Sequence, residues 1–256
     1  MIQIKNAAEL QKMRKACAIS AAALKAGGEA IEPGITTAEI DKIIYDFIVR
    51  HGARPNFLHL YGFPATACIS VNDTVIHGIP TRQQQIRPGD IVSIDTGCKI
   101  DGFNGDNACT YGCGKLDLEA QRLLDVTKES LHRGIEMARG GNRVGDIGHA
   151  VQSYVEENGF SVVRSFVGHG VGKELHEDPE VPNFGNAGRG PRLVPGMCIA
   201  VEPMVCQYKY VKTLKDGWTV KTCDGGLAAH FEHTMAITTA GAEVLTYGWE
   251  EPGWTL

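Results

Sequence analysis

One helical pattern is written twice in this chain at a fixed spacing. Residues 34–52 (GITTAEIDKIIYDFIVRHG) and 141–159 (GNRVGDIGHAVQSYVEENG) align at an offset of 107, matching Ile40 to Ile147, Ile44 to Val151, Phe47 to Tyr154 and Ile48 to Val155. Apolar positions three and four apart predict an amphipathic helix with one buried stripe in each copy. Gly52 and Gly159 follow where a helix ends in a left-handed cap. A second helical pattern precedes each copy, roughly 7–26 and 118–138, with Ile19 matching Val126 and Leu24 matching Leu131. A duplication predicts two pseudo-symmetric halves, about 1–110 and 111–256, packed about a twofold axis as a single catalytic domain, with a site drawing on both. The bland alternative is that two helical hairpins in an α+β protein align by chance.

Six segments are β-branched or alternate polar with apolar between turn residues: 66–71, 90–98, 104–111, 161–168, 197–206 and 229–238. Strand pairs flanked by helices predict an α+β fold, with a curved, largely antiparallel sheet and helices on its outer face.

Charge and terminal pattern narrow the function classes. The net charge is −5 and no basic run occurs, so direct nucleic-acid binding is not expected. The first residues lack a signal peptide's basic-then-apolar pattern. The longest apolar-looking run, 16–28, contains Ser20 and Lys25 and is too short to span a bilayer. Eight cysteines without a CxxC pair suit free thiols. A cytoplasmic protein without membrane contact is the expectation.

The chemistry lies in acids placed inside apolar strands. Asp95 ends the run Asp90-Ile-Val-Ser-Ile-Asp95, and Asp106 sits in the returning strand beyond a turn near 99–102. If Ile100 and Asp101 centre the turn, Asp95 faces Asp106. If Asp101 and Gly102 do, Asp106 faces Gly97 and Asp95 is its diagonal neighbour. Either register leaves both carboxylates on one sheet face. Like charges so close are destabilising unless a proton or cation lies between them.

Further ligand types follow. Glu202 interrupts Cys198-Ile-Ala-Val-Glu-Pro-Met204, with Pro203 ending ladder donation as at a bulge beside a site. Glu232 lies in HFEHT, and His169 in GHGVG, where glycines admit close backbone approach. Each acid alone is more often a half-exposed strand residue, but four with a glycine-framed histidine point to a metal centre. A set without thiolate suits Fe²⁺, Mn²⁺ or Co²⁺, with Zn²⁺ also possible. Two ions about 3.5–4 Å apart would activate a water for attack on a carbonyl. His77 and His176 are placed to bind substrate or steady an oxyanion, although a structural role for His77 is equally open. His51, His59, His132, His149 and His233 read as surface or helix residues. The glycine-rich stretch 168–173 fails the Walker pattern, and neither HExxH nor GxSxG occurs.

Five segments, NDTVIHGIP, IDTGCKIDGFNGDNA, GHGVGKELHEDPEVPN, GMCIAVEPMV and DGWTVKTCDGGLAAHFEHT, make the chain resemble the type I methionine aminopeptidases of the pita-bread fold, in their compact bacterial form. The likeness runs from about residue 3 to about 246. It implies that Asp95 binds one ion, that Asp106 and Glu232 bridge two, and that His169 and Glu202 complete the second. His77 and His176 would contact substrate, with Glu202 moving the proton and His176 stabilising the oxyanion. The implied reaction removes the initiator methionine from nascent chains when the second residue is small. Transient ribosome contact and a monomeric state are expected with it. The methionine pocket would comprise Phe57, Leu60, Phe63, Cys68, Leu175 and Trp218. Family members commonly carry aromatics at Leu60 and Leu175 and a small residue at Phe57. Three other readings stay open: an Xaa-Pro peptidase with the same ligands, a non-catalytic binding module of this fold, and a metallophosphoesterase.

Overall fold

The computed structural model describes residues 1–248, so the final positions of the expected second half, 249–256, lie outside the described residues. Four long helices form where the 3.6-residue patterns predict them: α1 (Ala7–Glu29), α2 (Thr37–Arg50), α3 (Leu118–Met137) and α4 (Val144–Glu157). α1 starts at a capping box in which Asn6 and Glu9 each accept the other's backbone N–H, and Thr36 and Glu39 repeat the device at α2. The stripe residues Ile40, Ile44 and Ile48 are buried, as are Ile147, Val151 and Val155. Gly52 and Gly159 then take φ values of +73° and +79°, the left-handed conformation a C-terminal cap requires.

The duplication extends into the backbone pairing. Thr36 bridges Gln85, and Arg143 bridges Arg192, each member displaced by the same 107 positions. Gly34 N–H donates to Ile86 O at 2.8 Å, and Gly141 N–H donates to Leu193 O at 3.0 Å.

A nine-stranded sheet spans both halves, and its recorded ladders are antiparallel. At its centre the first-half hairpin Ile91–Ile100 and Phe103–Gly112 meets Glu232–Ile237 and Cys198–Val201 of the second half. α1 lies against the hairpin, where a Cβ on Gly105 would come within 2.7 Å of the Ala16 carbonyl group. Ser20 Oγ donates to Thr96 O at 3.0 Å across the same contact. Here glycine is what lets helix and strand touch.

Three expected strands are interrupted, for one shared reason. The segment 161–168 forms Ser161–Val162 and resumes only at Gly168–Gly170; 197–206 breaks at Glu202-Pro203; 229–238 breaks at Phe231. At each break the chain passes between the large sheet and a small one made of Ser161–Val162, Met204–Cys206 and Ala228–His230. Pro203 supplies no N–H, and its carbonyl instead accepts from Phe231 N–H at 3.3 Å, so the two breaks lie side by side. His233 is also not on the surface. It is fully buried in Glu232–Ile237, with Nδ1 2.9 Å from Thr246 Oγ1. All eight cysteines are free thiols, and among the described residues no helix is long and apolar enough to cross a membrane.

Candidate metal centre

The turn register decides where the acids stand. Ile100 pairs with Phe103, leaving Asp101 and Gly102 as a two-residue turn with φ of +51° and +84°. Positive φ at both positions is the type I′ geometry that Asp-Gly favours and that matches strand twist. Gly97 therefore faces Asp106, and Asp95 faces Ala108. Glu232 faces Ala108 from the other side, and Cys68 faces Asp95. Directly opposed residues share a face, so Cys68, Asp95, Ala108 and Glu232 form one row across four strands, with Asp106 two residues from Ala108 on the same side. The small side chain of Ala108 leaves the space between the acids open. Glu202 follows directly on the next strand, and His169 lies on the strand beyond it.

His169 sits between two close backbone approaches, because a Cβ on Gly168 would lie 2.4 Å from Ala200 O and one on Gly170 2.3 Å from Asp178 O. Its Nδ1 is 2.9 Å from Gly170 O, a contact that requires the proton on Nδ1 and leaves the Nε2 lone pair free. That Nε2 lies 3.6 Å from both Asp106 Oδ2 and Glu202 Oε1. Ligand atoms of Asp106, His169 and Glu232 all fall within 4.8 Å of one another.

Electrostatics show what such a cluster lacks. Asp95 Oδ1, Asp106 Oδ1 and Glu232 Oε1 are buried without a hydrogen-bond partner. Among the described residues no lysine or arginine is within ion-pair distance of the four acids. Burial raises the Asp95 carboxyl to about 7 and the Glu202 carboxyl to about 8. Asp106 and Glu232 are pushed well up, by burial first and by the neighbouring carboxylates next. Burial, then His176, holds His169 at about 3, so its ring is neutral and able to ligate. Orphaned carboxylate oxygens converging on a neutral imidazole fit a divalent cation site of oxygen and nitrogen donors.

The acids form the floor of a cavity of about 230 Å³. All the expected pocket residues line it: Phe57, Leu60, Phe63, Cys68, Leu175 and Trp218. Phe63 meets Trp218 edge-on at 5.2 Å. His77 and His176 flank the cavity, and burial lowers the pKa of both, that of His77 to about 4. His77 holds a left-handed backbone with φ of +56°, a strained state for a side-chain-bearing residue that clusters at functional sites. The His176 ring packs 4.4 Å from that of His169.

Two neighbours were missed by the sequence reading. Tyr61, exposed and left-handed, stacks on His176 with centroids 6.2 Å apart. Nothing in the periodicity marks it. His230 is buried with Nε2 3.6 Å from Glu202 Oε2. Its spacing two before Glu232 gave only a weak signal, because the chain changes sheets at Phe231 between them.

A model of metallopeptidase family M24 matches residues 11–239. The chain belongs to that family. This M24 chain is 55% identical over 247 residues to the methionine aminopeptidase of Clostridium perfringens, covering 96% of one and 99% of the other. Its structure is similar to that of methionine aminopeptidase from Thermotoga maritima, with a TM-score of 0.95 and 43% identity over 97% of this chain and 100% of that one. Prolidase from Pyrococcus furiosus shares the fold alone, with a TM-score of 0.77 and 24% identity over 96% of this chain and 65% of the prolidase. The expected pita-bread fold is borne out, and M24 membership makes the chain a metallopeptidase.

Proposed function

We propose that this M24 enzyme hydrolyses the first peptide bond of polypeptides that begin with methionine and carry a small second residue. The substrates would be nascent chains, met in transient contact with the ribosome, and residues 1–256 would act as one catalytic unit of two halves. One observation supports this most strongly: a single cavity is apolar at Phe57, Phe63, Cys68, Leu175 and Trp218 and acidic at Asp95, Asp106, Glu202 and Glu232. A flexible, polarisable thioether suits the first half, and the reacting amine and carbonyl suit the second.

Asp95, Asp106, His169, Glu202 and Glu232 would hold two divalent ions, Fe²⁺, Mn²⁺ or Co²⁺ by donor type, with Zn²⁺ also compatible. When bound, such ions supply Lewis-acid polarisation and an activated water. The chain's own groups do the rest. Glu202, ionised once cations occupy the cluster, would accept the proton of the attacking water and return it to the departing amine. His176 is neutral because burial lowers its pKa, and it donates an N–H to the carbonyl oxygen as negative charge develops. His77, neutral for the same reason, holds the substrate amide. The apolar wall excludes water from the methionine side chain.

The test compares metal-reconstituted enzyme on Met-Ala-Ser, Met-Leu-Ser, Leu-Ala-Ser and Leu-Pro-Ser. Rapid hydrolysis of Met-Ala-Ser alone is expected. Equal rates on Leu-Ala-Ser would exclude methionine selectivity, and a preference for Leu-Pro-Ser would favour an Xaa-Pro peptidase.

A further inference from the structure

His230 is held firmly from behind. Its backbone N–H donates to Thr110 Oγ1 at 2.9 Å, and that hydroxyl donates back to His230 O at 2.8 Å. The side chain is 2% exposed, and its Nε2 has no hydrogen-bond partner. It points at Glu202, with Nε2 3.6 Å from Oε2, while His169 Nε2 is 3.6 Å from the other oxygen, Oε1. The two oxygens of Glu202 thus face different imidazoles. The Asp95 carboxyl also acts on the His230 ring, whose recorded carboxylate neighbour is Glu202 Oε2.

We infer that His230 is a positioning residue for Glu202. Its neutral ring donates Nε2–H to Oε2, which turns Oε1 toward His169 and the cation cluster. The present separation is just beyond hydrogen-bond range, and a small rotation of either side chain closes it. Outer partners of this kind fix the orientation of a ligating carboxylate and raise the affinity of the site. The inference rests on the reading of Glu202 as a metal ligand in the proposed function.

Calorimetric titration of the metal-free protein with Mn²⁺ tests it, using the unaltered chain, His230→Leu and His230→Gln. Leucine keeps the bulk without a donor; glutamine restores a neutral donor. His230→Leu should weaken one Mn²⁺ by about 10- to 100-fold and lower kcat on Met-Ala-Ser with little change in KM. His230→Gln should recover most of both. Unchanged Mn²⁺ affinity in His230→Leu would overturn this inference alone. So would a loss that glutamine fails to recover while circular dichroism shows an intact fold. The visible spectrum of the Co²⁺-loaded protein should be the same for the unaltered chain and His230→Gln. A changed ligand field there would make His230 a direct ligand and also overturn the inference. An unaltered chain that binds no Mn²⁺ would overturn the proposed function itself.

Discussion

Asp95 and Glu202 occupy equivalent points of the two halves, separated by the same 107 positions that relate α2 to α4. Each follows a buried strand segment, Ile91–Ile94 or Cys198–Val201, entered through a left-handed glycine, Gly89 with φ of +88° or Gly196 with φ of +92°. Between their strands lie those of Asp106 and Glu232, one from each half. The acids therefore run Asp95, Asp106, Glu232, Glu202 across four consecutive strands. Joining two copies of a sheet edge to edge brings four carboxyl groups together at the seam, a burden that bound cations relieve.

Removing one of those charges should separate stability from function. Asp106→Asn eliminates a buried carboxyl crowded by Asp95 and Glu202. Melting curves of the metal-free protein should shift upward by a few degrees relative to the unaltered chain. Metal binding and peptide hydrolysis should both collapse. A lower melting temperature would mean that the Asp106 carboxylate is stabilising without metal, contrary to this account.

The flanking histidines should matter for turnover and leave metal content alone. His77→Ala and His176→Ala are each expected to lower kcat by about 10²- to 10⁴-fold. Elemental analysis of both variants should match the unaltered protein. Loss of bound metal in either would make that histidine a ligand.

The pocket wall should set selectivity. Trp218, half-buried against Phe63, covers the apolar end of the cavity. Trp218→Ala should reduce kcat/KM for Met-Ala-Ser by roughly 10- to 100-fold, the scale of lost apolar contacts in a binding pocket. The ratio of Met-Ala-Ser to Leu-Ala-Ser rates should fall with it. An unchanged ratio would place the methionine side chain elsewhere.

Stability of the metal-free protein should depend on pH with a definite sign. Asp95 and Glu202 have folded pKa values raised to about 7 and about 8, so the folded state keeps protons that the unfolded chain has already released. Their contribution is full at low pH and is lost as pH rises through 7 and 8. His77 and His169 are depressed to about 4 and about 3, and they oppose this only below about 6.5, where unfolded histidine protonates. Between pH 6.5 and 8 the carboxyl groups prevail. The melting temperature of the metal-free protein should fall across that window, and saturating Mn²⁺ should remove the fall. A rise in the metal-free protein would contradict the raised carboxyl values.

Much of this site was legible before any coordinates. Helix stripes and left-handed glycines follow from local chemistry; the register of the turn near 99–102 stayed open, but both possibilities put Asp95 and Asp106 on one face. The sheet-to-sheet crossings at Val162, Glu202-Pro203 and Phe231 were not legible, because period-two patterning continues through a strand that changes sheets. Pro203 gave the only local warning. The pocket followed from family resemblance alone, since Phe57 lies in a loop and Leu60 in a single 3-10 turn, both too short for periodicity. His230 was not legible either, since the sheet change at Phe231 separates it from Glu232. His233 was judged peripheral because one residue's parity cannot report a strand buried on both faces.

The central claim is that Asp95, Asp106, His169, Glu202 and Glu232 together hold a cation pair. Anomalous scattering from crystals of the Mn²⁺-loaded protein tests it most directly. Two peaks within bonding distance of those five side chains are predicted. Ions bound elsewhere, or none at this cluster in an active preparation, would contradict it.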